Sequence, residues 1–340
     1  MAGKHYTIKD LAREAGVSPA LVSFALNNTG ANGEKRYKVN KDTARRIEEI
    51  AAAHNYKPNS VARSLRSRRS RTIGVILSDI SNSFFSEIAR RIENEAYKVN
   101  YSVLFGSTDE SVEKLEAIIN TFLDKSVDGL IIVPCERSEE VIAKIVKRDI
   151  PLVLLDRNIE SLDVNRVLLD NEKAAEMAVE ALLNNGNRRV EMISYQMNLS
   201  NITKRESGYR KSVEARGLMP VVHNVNYNNI NESMEELMRT MDFKEVDALL
   251  FATNSLAVAG IKTLGKLGIA IPDEVSVVVF DGSEAFDLYP ISIAYIRQPI
   301  SDFAQQALRL VIGQINDSEA EKESIILQPA YVAGESAIKR

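Results

Sequence analysis

Residues 57–71 read KPNSVARSLRSRRSR, a helix-compatible stretch loaded with arginine around one leucine, Leu65. Residues 7–28 read TIKDLAREAGVSPALVSFALNN, the pattern of a helix-turn-helix. Guanidinium groups at that density attract phosphate and release counterions on binding. A helix-turn-helix carries side chains into the major groove. Contact with DNA is therefore the chemistry these two segments can do. Charge partition agrees. Residues 1–71 hold 15 Lys/Arg against 6 Asp/Glu, and residues 72–340 hold 28 against 41. A head of +9 precedes a body of −13, which the whole-chain value of −4 conceals.

The elements that must position these groups are legible locally. Thr7 followed by Asp10 makes a capping box, and a first helix runs through Ala15 with Ile8, Leu11, Ala12 and Ala15 on one apolar face. Gly16 suits the C-cap, which needs positive φ. Ser18 caps a second helix, and Pro19 takes its first turn. Leu21, Val22, Ala25 and Leu26 are expected to face inward, leaving Ala20, Ser23, Phe24 and Asn27 for the groove. A third helix fits Lys41 to His54, with Ala44, Ile47, Ile50 and Ala51 apolar. In the arginine segment, Asn59 or Ser60 can cap a helix carrying Arg63, Leu65 and Arg66. So short a helix is unstable alone, so it is expected to form only against DNA or a partner.

Beyond Arg71, apolar strand-like runs alternate with amphipathic helices. The runs are Thr72–Leu77, Tyr101–Phe105, Gly129–Val133, Leu152–Leu155, Arg166–Leu169, Val190–Ile193, Ala248–Phe251 and Val275–Phe280. The βαβ alternation predicts parallel sheets covered by helices. The length suits two lobes, with a ligand cleft beyond the carboxyl ends of the strands.

Several functions are excluded or disfavoured. No apolar run reaches bilayer length, and the start MAGKHYTIKD has no signal-peptide stretch, so a cytoplasmic protein is expected. One cysteine, Cys135, excludes an internal disulfide and reads as a strand-end packing residue. His5, His54 and His223 lack metal or triad spacing, so no enzyme, metal or cofactor is expected. Gly260-x4-Gly265-Lys266 mimics a phosphate loop, but Leu267 replaces the required hydroxyl residue and the stretch lies within a helical run.

The head resembles the lactose-repressor (LacI/GalR) family of bacterial transcription regulators. The match is carried by Thr7-Ile8-Lys9-Asp10, Ala15-Gly16-Val17-Ser18 and Val22-Ser23-Phe24-Ala25-Leu26-Asn27, with the hinge pattern at Pro58 through Leu65. The resemblance implies a homodimer on a twofold operator, with Leu65 wedged into the minor groove and Arg66 beside it. Two features depart from the pattern. The stretch Gly30–Lys41 is longer than the usual link. The base-reading positions, Ala20 and Phe24, are apolar and can only pack on a thymine methyl.

The body resembles ribose-type periplasmic sugar-binding proteins, on the residues at its strand ends. These are Asp79 to Phe85 (DISNSFF), Asp156-Arg157, Arg205 before Gly208-Tyr209, Ala252-Thr253-Asn254, Asp281 and Gln298-Pro299. The implied effector contacts are Phe84, Phe85, Asp156, Arg157, Arg205, Asn254, Asp281 and Gln298. The set suits a polyol: carboxylates accept from hydroxyls, arginine forks onto two oxygens, and rings face C–H groups. Ser255 stands where the family often has Asp. Leu199 stands where purine-type repressors place an arginine, which disfavours a purine. A nucleobase effector, or control by a phosphorylated carrier protein as in catabolite regulators, are the rival readings.

The expected architecture is α/β: an all-α helix-turn-helix head (1–56), a hinge helix (57–71) and a two-lobed parallel-sheet body (72–340). The N-lobe should hold about 72–168 and 299–328, and the C-lobe about 169–298 and 329–340. The expected partners are double-stranded operator DNA, a sugar-like effector and a second copy of the chain, with no membrane. The polar end at Glu335–Arg340, without a leucine-rich extension, favours dimers. Alanine at Asp281 or Arg157 should remove the effector response and spare operator binding.

Overall fold

The structure is a computed structural model that describes residues 6–26, 39–56 and 69–339. Two compact units emerge, one built essentially on residues up to Thr72 and one on the remainder.

The head has three helices: α1 (Ile8–Glu14), α2 (Pro19–Leu26) and α3 (Lys41–Ala53). The capping box on α1 forms in both directions, with Thr7 N donating to Asp10 Oδ2 at 3.1 Å and Asp10 N to Thr7 Oγ1 at 3.3 Å. Gly16 adopts φ +66°, and Ser18 Oγ accepts from Leu21 N at 3.2 Å. Asn40 caps α3 through Asp42 N. Leu11, Ala12, Ala15, Val22, Ala25, Ile47 and Ala51 form one buried cluster, bordered by Tyr6 and Tyr56. One expectation changes. Leu21 is only partly buried, because the inward stripe of α2 is the i, i+3 pair Val22 and Ala25 and Leu21 lies at its rim.

The body alternates strand and helix as the pattern requires. Its elements begin β1 (Thr72–Leu77), α4 (Ser83–Lys98), β2 (Ser102–Ser107), α5 (Val112–Asp124), β3 (Gly129–Ile132), α6 (Glu139–Val146), β4 (Leu152–Leu155) and β5 (Asn165–Leu169). They continue with α7 (Asn171–Asn184), β6 (Val190–Tyr195), α8 (Ser200–Ala215), β7 (Val221–Val225), α9 (Ile230–Thr240), β8 (Ala248–Phe251), α10 (Asn254–Leu267) and β9 (Ser276–Phe280). The chain closes with β10 (Ala294–Arg297), α11 (Ile300–Asn316), β11 (Ser324–Leu327) and β12 (Ala330–Val332). One sheet runs β11-β5-β4-β3-β1-β2 and the other β12-β10-β9-β8-β6-β7. The β10–β12 pair is antiparallel, while β1–β3, β3–β4, β4–β5, β6–β8, β8–β9 and β9–β10 are parallel. Central strands β3, β4, β8 and β9 are buried at every residue, as parallel strands covered on both faces must be.

The chain passes between lobes three times: after β5, between β10 and α11, and between β11 and β12.

Helices α7 and α8 pack unusually closely in the second lobe. A Cβ placed on Gly208 would lie 2.1 Å from the carbonyl oxygen of Glu172. Backbone cannot step aside as a side chain can, so only glycine fits there. Next to it, the fully buried Tyr209 Oη accepts from Val221 N at 2.8 Å and lies 2.9 Å from the Val190 carbonyl. Gly208→Ala should destabilise the body by roughly 1–3 kcal/mol, the range for overpacking a dense core. Thermal unfolding of the two proteins measures this, and an unchanged midpoint would mean the helices separate freely.

Candidate functional site

The carboxyl ends of both sheets face one another across the two lobes. Asp156 follows β4 and Asp281 follows β9, and these strands hold matching places in their sheets. Both aspartates adopt the left-handed conformation, at φ +65° and +67°. Both are buried, at 2% and 8% exposure. Such backbone is sparsely populated for residues with a Cβ and concentrates at functional sites. The turn aims each carboxylate inward from its strand end.

The predicted residues largely meet there, but most are bound to one another. Asp156 Oδ2 accepts from Asn201 Nδ2 at 2.9 Å. The Asp281 oxygens accept from Gln298 Nε2 at 2.9 and 3.2 Å. Arg205 donates through Nε to Asn171 Oδ1 and through Nη1 to the Ala252 carbonyl, each at 2.7 Å. Its guanidinium also stacks 4.0 Å from the centre of the Phe280 ring. Asn254 Nδ2 reaches the Gly282 carbonyl at 3.4 Å. Burial raises the pKa of Asp156 against the pull of Arg157 and Arg205. Burial likewise pushes Asp281 up to about 6, against Arg205 and the Gln298 amide. Burial lowers Arg205.

Arg157 departs from the expectation of a free fork. Its Nη1 and Nη2 hold both oxygens of Glu110, at 2.8 and 2.7 Å, and Nη1 also donates to the Pro134 carbonyl at 2.9 Å. No local motif marks Glu110, which sits in a polar turn before α5. Asn171, Asn201, Tyr195 and Tyr227 were missed for the same reason, since each is ordinary in its local pattern. Tyr195 and Tyr227 stack edge to face at 5.5 Å.

The lobes also touch directly. Asn82 Nδ2 donates to Ser255 Oγ at 3.1 Å and Asn158 N to Ser200 Oγ at 2.7 Å. Ser255 thus bridges the lobes. A cavity of about 880 Å³ opens beside Phe84, Asp281 and Gln298, and a recess of about 360 Å³ beside Arg157 and Asn198–Ser200. Asp156, Arg205 and Asn254 line neither. Phe84 borders the larger cavity and packs edge-on against Phe85 and Phe303; Phe85 borders neither cavity. Three buried polar atoms of the set have no hydrogen-bond partner: Asp156 Oδ1, Arg157 Nε and Gln298 Oε1. Buried polar groups are normally paired, so these are the atoms a ligand would satisfy.

The DNA contacts expected from the sequence are Thr7, Ser18, Pro19, Ala20, Ser23, Phe24, Asn27, Ser60, Arg63, Leu65 and Arg66; of these, Ser18, Pro19 and Ala20 are exposed at the start of α2, with Ser23 and Phe24 partly buried along it. Asn27, Ser60, Arg63, Leu65 and Arg66 lie outside the described residues, as do residues 30–38 of the long loop. Thr7 serves as the α1 cap. The Gly260–Lys266 stretch falls inside α10, not at a strand–helix turn. Cys135 is buried and its thiol pKa is raised, mainly by burial. Among the described residues, no cluster of His, Cys, Asp or Glu could hold a metal, and no helix is long and apolar enough to cross a membrane.

The model of bacterial regulatory proteins of the lacI family matches residues 7–59, and that of a periplasmic binding protein domain matches residues 73–290. Over 343 residues the chain is 30% identical to the probable HTH-type transcriptional regulator EndR of Paenibacillus polymyxa, with 98% of each covered. The chain belongs to the lacI family of bacterial regulatory proteins. It is a DNA-binding transcriptional regulator with an effector-binding body, and its relatives are not enzymes. The fold matches the lac repressor dimer bound to operator and the anti-inducer ONPF, with TM-score 0.84 at 22% identity over 98% of this chain and 100% of that one. A periplasmic binding protein/LacI transcriptional regulator from Alkaliphilus metalliredigens, complexed with D-xylulofuranose, matches at TM-score 0.68 and 26% identity, covering 78% of this chain and 98% of that chain.

Proposed function

We propose that this lacI-family regulator is a homodimeric repressor whose operator affinity is switched by a small sugar-like effector held between the lobes. One observation carries the effector reading. Six polar residues from facing strand ends and α8 converge in the body, with three buried atoms lacking a hydrogen bond. A sugar-bound relative and the polyol chemistry of the set support it. Lobe closure on the effector shifts the start of β1, where the hinge segment joins. A hinge helix that is marginal alone needs only a few kcal/mol of bias to form or melt. Release of DNA by the effector is the favoured sign. A thermal-shift screen of mono- and disaccharides tests the reading: a saturable rise in melting temperature supports it, and no shift across the panel rejects it.

Asp281 gives the site a pH signature. Hydroxyl donors favour its carboxylate form, so effector binding should draw its pKa down from about 6. Affinity should be level above that value and fall as pH drops through it, by up to about tenfold per unit. The unliganded body follows the opposite sign. A raised carboxylate pKa contributes stability that is full below the unfolded value of 3.8 and is lost as pH rises through about 6. Calorimetric titration between pH 5 and 8 reads the first effect, and a flat profile would remove Asp281 from the contact set.

A further inference from the structure

The atoms left for a ligand differ from what the residue types alone suggest. Arginine beside a cleft normally recruits an anion, because its planar fork matches carboxylate or phosphate. Here that fork is already occupied. Glu110 holds both terminal nitrogens of Arg157 in a bidentate pair, and the two side chains are 5% and 8% exposed. The chain takes an unfavourable path to put Glu110 there. Asp109 and Glu110 are consecutive non-glycine residues at φ +49° and +60°. Asp109 N is tied to the Ser78 carbonyl at 2.6 Å, and its own carboxylate turns outward to Ser107 and Lys114. Of two adjacent acids, one is thus anchored outside and the other is driven into the cluster.

What remains without a hydrogen bond is one donor, Arg157 Nε, whose nearest charge is Asp156 Oδ2 at 3.8 Å, and two acceptors, Asp156 Oδ1 and Gln298 Oε1. The orientation of the Gln298 amide is fixed, because its NH2 end faces the Asp281 carboxylate. Hydroxyl groups can donate to both acceptors. A phosphate or carboxylate would set its oxygens against them, in a cluster whose three buried acids, Glu110, Asp156 and Asp281, already outnumber Arg157 and Arg205. Unpaired like charge in a buried site is strongly unfavourable.

We propose that Glu110 is a specificity residue that occupies Arg157 from within and confines the cleft to uncharged polyhydroxy effectors, rejecting sugar phosphates and sugar acids. The proposal deepens the sugar-effector reading and rests on it for the location of the site.

The test uses full-length protein and four probes: inorganic phosphate, D-glucose 6-phosphate, D-ribose 5-phosphate and D-gluconate. Wild type should bind none of them tighter than about the millimolar range by calorimetry. Glu110→Gln removes the internal charge at constant shape and should bind inorganic phosphate at least about tenfold tighter than wild type, as a charge-assisted guanidinium pair allows. Adding Arg157→Gln to that variant should abolish the gain. Micromolar binding of an anionic probe by wild type, or no gain in a folded Glu110→Gln, overturns the proposal. Should that variant fail to fold, Glu110→Ala takes its place, with the same tenfold gain expected and its absence overturning the proposal. A gain in phosphate binding together with silence across the neutral sugar panel would reject the sugar reading and leave the role of Glu110 standing.

Discussion

A chain lacking residues 1–71 should lose operator binding by roughly a thousandfold or more, the span that separates specific from non-specific DNA affinity. The body it leaves carries a net charge of −13 and repels phosphate. The head carries +9 and folds on its own buried cluster from Leu11 to Ala51. The truncated body keeps both sheets and should keep its effector. In the full chain, operator affinity should fall steeply with salt, as for about 6–10 phosphate contacts. Gel-shift and fluorescence titrations against salt measure both. A body that still shifts operator DNA would contradict the assignment of the head.

Arg157→Ala should be the most damaging single change in the body, costing about 3–5 kcal/mol, because it leaves the Glu110 carboxylate buried and unpaired. The sequence alone treats this substitution as a loss of one ligand contact with operator binding spared. The bidentate pair changes that outcome: reduced stability should lower the fraction of folded regulator. Glu110→Ala added to Arg157→Ala should recover much of the stability without restoring the effector response. Urea unfolding of both single variants and the double variant checks this. Additive losses would mean that the two side chains do not act as a pair.

Much of the architecture was legible because it is periodic. Strands β1, β4 and β8 match their expected limits, since parallel strands buried on both faces read as unbroken apolar runs. Four strands were not foreseen. β7, β11 and β12 are sheet edges or close to them, with only partial burial and mixed polarity, and β10 is four residues long with a charged end. The aspartates are legible because they follow recognisable strands, and Gln298 because Gln298-Pro299 matches the pattern of the resemblance. Glu110, Asn171 and Asn201 are not, because their roles are set by partners 34 to 47 residues away, which local patterning does not encode. Leu21 was misplaced because an eight-residue helix buries a stripe narrower than the run of apolar residues suggests.

In the proposed switch the cleft governs the DNA-binding head. Asp281→Ala isolates it. Removing the carboxylate leaves the buried Gln298 amide without its two hydrogen bonds, which should cost some stability, but Asp281 lies in the body, so the unliganded operator affinity of the folded protein should stay nearly unchanged. The decisive measurement is an operator titration with and without the effector found by the sugar screen, for wild type and Asp281→Ala, on an operator selected from a random duplex library. Effector should weaken operator binding by wild type and leave the variant unmoved. An Asp281→Ala protein that responds to effector like wild type would show that the sensor lies elsewhere.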